Sequence, residues 1–224
     1  MELTLLSNAG LALSHKGSVL LIDVPNGVCA PFHTLDDGLW QKILAHEPPY
    51  YHICGLYFTH DHPDHFDREK VDAYCARWPQ TPVFLPEKDT QQGTVVMGPF
   101  IISYGRVTHA PLDGGVPPHV VTWITAGEKS VYIAADAVTD VQAHMNFLKG
   151  RRANAAFWNS MYLSQPQTRQ LLQDAAAHSY IYHMPAENPD GYGLWRKCRL
   201  NFQRYGQELT TVTVLDRYPC SIAI

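Results

Sequence analysis

The sequence predicts an α/β fold of the mixed α+β kind, in which strands open the chain and helices recur toward its end. Three observations carry this. The first is a set of short apolar runs of strand length, bounded by turn residues, at 2–6 ("ELTLL"), 10–16 ("GLALSHK") and 18–24 ("SVLLIDV"). The second is the stretch "LDDGLWQKILAHE" at 35–47, where Leu39, Trp40, Ile43 and Leu44 form an apolar stripe at helical spacing. The third is that several histidines and aspartates stand where β-like runs end. Two sheets faced by helices accommodate this order, and so does an ordinary open α/β sheet.

Taken in order, Gly17 sits between the second and third strands, which makes a hairpin. "HICGLYF" (52–58) reads as a buried strand that leads into "THDHPDH". Residues 67–79 read as a helix, with Asp67 as its cap and Pro79 marking its end. "PVFLP" (82–86) is a short strand, and 94–110 holds two or three more. "HVVTWIT" (119–125) and "SVYIAAD" (130–136) flank "AGEK" as a hairpin. A helix is expected at 167–179, a strand at 180–185, a last helix at 194–206 stopped by Gly206, and a last strand at 209–216.

Composition bounds the class. The chain has 224 residues, 46% hydrophobic and 17% charged, with a net charge of −4. One compact domain over 1–224 is the expectation, and disorder is excluded. The charge balance argues against a nucleic-acid partner. The basic clusters "KGRR" (149–152) and "WRKCR" (195–199) read as solvated surface. No apolar run is long enough for a membrane span, and no secretory signal is evident. The five scattered cysteines read as reduced thiols, so a cytoplasmic location is expected.

The chemistry concentrates at 60–67, where His60, Asp61, His62, Asp64, His65 and Asp67 fall within eight positions. Imidazole and carboxylate are the ligands zinc takes when thiolates are absent. His60 and His62 lie two apart at a strand end, so an extended backbone puts both on one side. Pro63 favours that extended backbone at His62. Asp64 and His65 follow where the chain bends and can serve a second metal. Further ligands should stand at other strand ends, and His109, Asp136 and His183 each close a β-like run.

This pattern resembles the H-x-H-x-D-H signature of the metallo-β-lactamase fold superfamily, followed in order by that family's later ligands. The resemblance covers nearly the whole chain and implies a four-layer αββα sandwich with the site at one edge between the sheets. It implies two divalent metal ions, with zinc expected and manganese or iron as alternatives. His60, His62 and His109 would hold one ion, Asp64, His65 and His183 the other, and Asp136 would bridge them. A water between two cations becomes hydroxide near neutral pH and attacks a carbonyl or phosphorus. The implied activity is hydrolysis of a small ester, lactone or phosphoester, with Asp64 and Asp136 in the catalytic centre. The alternatives are a phosphodiesterase or nuclease acting on nucleotides, and a metal-binding member without turnover. Within the superfamily the chain resembles the compact, sugar-phosphate lactonase-like branch. It departs from that branch at "SNAGLAL", where many members carry a glycine–histidine pair.

Other residues were assigned around this core. His144, shortly after Asp136, is taken as proton donor to the leaving group, with His33 as a second candidate. Asp61 either orients His60 or the attacking water, or is simply exposed. Asp23, at the end of "LLIDV", braces the floor of the site. His15, His46, His52, His119 and His178 read as surface or core. Trp158, Tyr162, Tyr192 and Trp195 flank His183, where some could line a pocket for a small-molecule substrate and the rest pack the core. Self-association stays open.

Overall fold

The computed structural model of the chain describes residues 1–110, 116–188, 190–191 and 193–224. Strands β1 (Glu2–Leu5), β2 (Leu11–His15) and β3 (Ser18–Ile22) form an antiparallel meander. Lys16 and Gly17 both take positive φ (50° and 82°) in the β2–β3 turn, the geometry a two-residue hairpin needs. After helix α1 (Asp37–Leu44), strand β4 (Ile53–Tyr57) runs parallel to β3. Helix α2 (Arg68–Arg77) then leads to the short edge strand β5 (Val83–Phe84), parallel to β4.

The second sheet begins as an antiparallel meander of β6 (Gln92–Met97), β7 (Phe100–Arg106), β8 (Val120–Ala126) and β9 (Lys129–Ile133). It continues in parallel strands β10 (Ala153–Trp158), β11 (Ala176–Ile181) and β12 (Val212–Val214). Helices α3 (Val141–Leu148), α4 (Pro166–Asp174) and α5 (Leu194–Tyr205) connect β9 to β10, β10 to β11 and β11 to β12. A last strand, β13 (Cys220–Ala223), returns to pair with β1. The sheet orders are β13-β1-β2-β3-β4-β5 and β12-β11-β10-β9-β8-β7-β6.

Three separate apolar layers explain the stacking. Alternate residues of a strand face opposite sides. Leu20 and Ile22 of β3 meet Ile124, Val131, Ile133 and Phe157 between the two sheets. Val19 and Leu21 of the same strand face α1 and α2 through Trp40, Ile43, Val71 and Tyr74. Val121, Trp123, Tyr132 and Trp158 of the second sheet face α3, α4 and α5 through Leu148, Leu171, Leu172 and Cys198. Strand β3 is therefore buried at every position, as expected of a strand covered on both faces. The result is an αββα sandwich.

Four boundaries differ from the sequence expectation. The helix expected at 167–179 ends at Asp174, and residues from Ala176 form β11. Ala176 and Ser179 pair with Ala153 and Ala156 of β10, so sheet pairing overrides the helix propensity of "AAAHS". The helix expected at 35–47 is shorter, because Asp36 accepts from Leu39 N at 2.9 Å and His46 takes φ 54°. Residues 94–110 hold all of β7 and all but the first two residues of β6, and His109 lies beyond them in an isolated bridge. Helix α3 and strands β10 and β13 were not anticipated. Among the described residues, no helix is long and apolar enough to cross a membrane.

Candidate metal centre

The topology gathers the ligand-type residues at one edge. Strands β7, β9 and β11 point the same way in the second sheet, and the residues that follow them meet those that follow β4. The chain leaves β4 into Thr59 and "HDHPDH", leaves β7 toward His109, leaves β9 toward Asp136 and leaves β11 toward His183. An isolated antiparallel bridge between His109 and Ala137 brings two of these exits together.

All seven expected ligands converge, and they do so in two groups. His60, His62, His109 and Asp136 form one, and Asp64, His65, Asp136 and His183 the other, with ligand atoms in each group within 4.8 Å of one another. Asp136 belongs to both. Its Oδ2 faces His109 Nε2 at 3.5 Å and His60 Nε2 at 4.0 Å, while its Oδ1 faces His65 Nε2 and His183 Nε2 at 3.5 Å each. In the second group His183 Nε2 also lies 2.9 Å from Asp64 Oδ2 and 3.0 Å from His65 Nε2. Bonds of about 2.0–2.1 Å in a tetrahedron set its donors about 3.3–3.4 Å apart, and these separations bracket that value.

Hydrogen bonds aim the imidazoles inward. Asp23 Oδ2 accepts from His65 Nδ1 at 2.9 Å, which leaves the Nε2 lone pair toward the cluster. Thr59 Oγ1 donates to Asp23 Oδ2 at 2.8 Å and so accepts from His60 Nδ1 at 3.0 Å. His109 Nδ1 donates to Ala110 O at 2.5 Å. Fixing one ring nitrogen through a partner in this way orients a histidine for metal. His60 Nε2, His109 Nε2 and Asp136 Oδ1 are buried without a hydrogen-bond partner. Buried polar atoms are normally paired, so these three have the disposition of donors to a cation.

The electrostatics match. Burial holds His60 well below the ordinary histidine range, reinforced by His65, and burial with His109 lowers His62. Burial opposes the charged forms of Asp64 and Asp136, yet His65 and His183 outweigh it and hold both carboxyls low. The same carboxylates raise His183 against its burial and, with Asp23, raise His65 likewise. The site thus has two carboxylates ready to accept cations.

The sequence reading placed Asp23 beneath the site, and Asp23 is fully buried there, also accepting from Thr59 N at 2.7 Å. Several supporting residues were missed. Asn159 Nδ2 donates to Ala135 O at 2.9 Å, and Tyr162 donates to Val138 O at 2.9 Å, so the segment carrying Asp136 is clamped from both sides. Asn8 and Asn26 lie fully buried against Asp64. The only signal for Asn8 was the departure at "SNAGLAL", which marked a place without giving it a role.

Other expectations are corrected. His144 is fully buried on α3, with its ring nitrogens bonded to Tyr132 and Tyr162 hydroxyls at 2.5 Å each, and it belongs to neither ligand group. Burial pushes it down to about 4. Its ring braces Tyr162 within the layer beneath α3. Trp158 and Tyr162 are core residues, Trp195 packs against the same layer, and Tyr192 lies outside the described residues. Asp61 is exposed, so the plain reading holds for it. Asp67 caps α2, accepting from Lys70 N at 3.1 Å. His33 is exposed beside Tyr218, with ring centroids 5.1 Å apart. His119 is buried beside His60, its Nδ1 donating to Val107 O at 3.0 Å. All four residues of "KGRR" are exposed, as read from the sequence, and the Arg151 guanidinium sits 4.5 Å over Trp123.

No known family model matches the sequence, and no curated protein matches it. Solved structures do. CmlA, a diiron β-hydroxylase from Streptomyces venezuelae, matches at 13% identity and TM-score 0.65 over 100% of this chain and 54% of CmlA. The chain therefore spans about half of that protein. The metallo-β-lactamase fold protein YhfI from Bacillus subtilis matches at 13% identity and TM-score 0.66, over 99% of each chain. Zn2+-bound PqqB from Methylobacterium extorquens matches at 15% identity and TM-score 0.55, over 96% of this chain and 87% of PqqB. What these proteins share with the chain is the architecture.

Proposed function

From the metallo-β-lactamase fold that the chain has, we propose a dinuclear metal-dependent hydrolase acting on a small ester, lactone or phosphoester. The observation that carries the reading is Asp136, whose two oxygens each face a separate group of buried donors. His60, His62 and His109 would hold one ion and Asp64, His65 and His183 the other. When bound, two such cations supply a hydroxide nucleophile near neutral pH and polarise the bond under attack.

The chain's own residues set the stage for that chemistry. Asp23 and Thr59 keep the Nδ1 protons of His65 and His60 away from the centre. Asn159 and Tyr162 hold the segment around Asp136 through its backbone carbonyls. Burial of His60, His65 and His109 excludes bulk water from the donors, which strengthens their interaction with a cation. A donor set without thiolate suits zinc, which PqqB binds, and iron, which CmlA uses; zinc is the first choice for a hydrolase.

Metal analysis of the purified protein tests the dinuclear reading, with close to two equivalents per chain expected. A panel of lactones, thioesters and bis-p-nitrophenyl phosphate tests the reaction. Turnover of one class by wild type, lost in Asp136→Ala, supports a hydrolase. Two equivalents of metal with wild type inert across the panel would favour a binding protein instead.

A further inference from the structure

We propose that Asn8 and Asn26 form a paired-amide device that positions the second group of ligands, Asp64 and His183, and so sets the affinity of that metal site alone. The inference rests on the dinuclear reading above.

Both asparagines are fully buried, and each comes from a loop of the first sheet. Asn26 has its orientation fixed by groups that cannot reverse polarity. Its Oδ1 accepts from Leu35 N at 3.1 Å, and a backbone N–H can only donate. Its Nδ2 donates to Asp64 O at 3.0 Å, and a carbonyl can only accept. The same Nδ2 donates to Asn8 Oδ1 at 3.1 Å. That contact fixes the Asn8 amide in turn, so its Nδ2 must face outward, toward Asp64 Oδ2 at 3.5 Å. Asp64 Oδ2 is the oxygen that lies 2.9 Å from His183 Nε2. The Asn8 backbone serves the other ligand, since its carbonyl accepts from His183 N at 2.9 Å.

Asn8 therefore touches both ligands that close the second group, one by side chain and one by main chain. His183 needs the support, because it takes φ 56°, a left-handed conformation that a histidine adopts only when its surroundings hold it there. Among the described residues, nothing comparable links the asparagines to His60, His62 or His109. His60 is oriented by Thr59 and His109 by Ala110. The asparagines thus support the second group alone, whereas Asp23 serves both, and a lesion at Asn8 or Asn26 should separate the two sites. Partners that hold a metal ligand in place typically matter about 10–100-fold in metal affinity.

The test is calorimetric titration of metal-free full-length protein with Zn2+, on wild type, Asn8→Ala and Asn26→Asp. The aspartate keeps the asparagine shape but turns an oxygen toward the Asp64 carbonyl and Asn8 Oδ1, and toward His33 O at 3.5 Å. Both variants should retain one site near wild-type affinity and lose at least about tenfold at the other. Cobalt(II) absorbance would show the site that survives to be the histidine-rich one. Asn8→Ser, which retains a short hydroxyl donor, should fall between. It also serves if Asn8→Ala fails to show a cooperative thermal transition. Two unchanged sites in the variants would overturn the proposal alone. So would equal weakening of both sites in a folded variant. Fewer than two sites in wild type would remove the dinuclear reading and this proposal with it.

Discussion

Replacing Asp23 by asparagine should change which nitrogen carries the proton on two histidines at once. Asp23 Oδ2 now accepts from both His65 Nδ1 and Thr59 Oγ1. In Asp23→Asn one oxygen remains for Thr59 N, and an NH2 group replaces Oδ2. His65 Nδ1 must then accept, which moves the imidazole proton to Nε2, into the second group of ligands. Thr59 Oγ1 also becomes an acceptor from the new amide, so its own proton turns to His60 Nδ1. His60 would then carry its proton on Nε2 as well, inside the first group. To bind metal, His65 must turn its N–H against the new amide N–H, and His60 must turn its N–H against the Thr59 hydroxyl proton, which has to leave. A hydrogen bond to a charged partner is worth about 1.5–3 kcal/mol, so each site should lose about ten- to a hundredfold in affinity. Competition for zinc against a chromophoric chelator measures this, and the 15N shifts of the imidazoles report the protonated nitrogen directly. Wild-type affinity at both sites in a folded Asp23→Asn protein would refute the reasoning. So would His65 still protonated on Nδ1. The contrast with Asn8→Ala is sharp, because that lesion should touch one site and this one both.

Proton linkage gives a second expectation. Asp136, Asp23 and Asp64 raise His65 above its usual value of 6.5, and Asp136 with Asp64 raises His183. In metal-free protein these pairs contribute stability that is complete below that value and lost as pH rises through the raised values. Zinc must displace those protons, so calorimetry in buffers of different ionisation enthalpy should show proton release on binding, and affinity should rise with pH; identical heats in both buffers would refute this. His144→Gln should lower unfolding stability by about 1–3 kcal/mol by leaving a tyrosine hydroxyl unpaired, while the pH profile of any hydrolysis keeps its shape; a lost limb in that profile would restore His144 as a proton donor. Gly55→Ala should destabilise the fold by about 1–3 kcal/mol, since the added methyl would press on Met97, whose Cγ lies 2.9 Å from its position. An unchanged denaturation midpoint would mean that Met97 swings aside.

The metal centre was the most legible part of the sequence, because its residues carry unusual chemistry at strand ends. His60 and His62 at alternate positions, and His109, Asp136 and His183 after apolar runs, were enough to gather the set. The early strands were legible for a different reason: burial on both faces makes "VLLI" (19–22) uniformly apolar. What stayed hidden depends on partners far away in the chain. "ANAAFW" of β10 and "AAHSYI" of β11 are alanine-rich, and pairing with each other and with β9 and β12 makes them strands. Strand β13 exists because β1 offers it an edge. Asn8 and Asn26 look like ordinary turn residues until the fold buries them beside Asp64. His144 was misjudged because proximity to Asp136 in sequence was mistaken for access to it; α3 turns its ring toward Tyr132 and Tyr162 instead.

The ligands come from both sheets, with His60, His62, Asp64 and His65 following β4 and His109, Asp136 and His183 following strands of the other. Two loaded ions would therefore rivet one sheet to the other at a single edge. Separating the sheets would first require breaking coordination bonds, so the lifetime of the folded state would follow the rate of metal escape more than the size of the apolar core. Chelator in the medium then becomes a kinetic handle: it should shorten that lifetime by capturing ions only as they leave, with a rate that levels off once capture is fast.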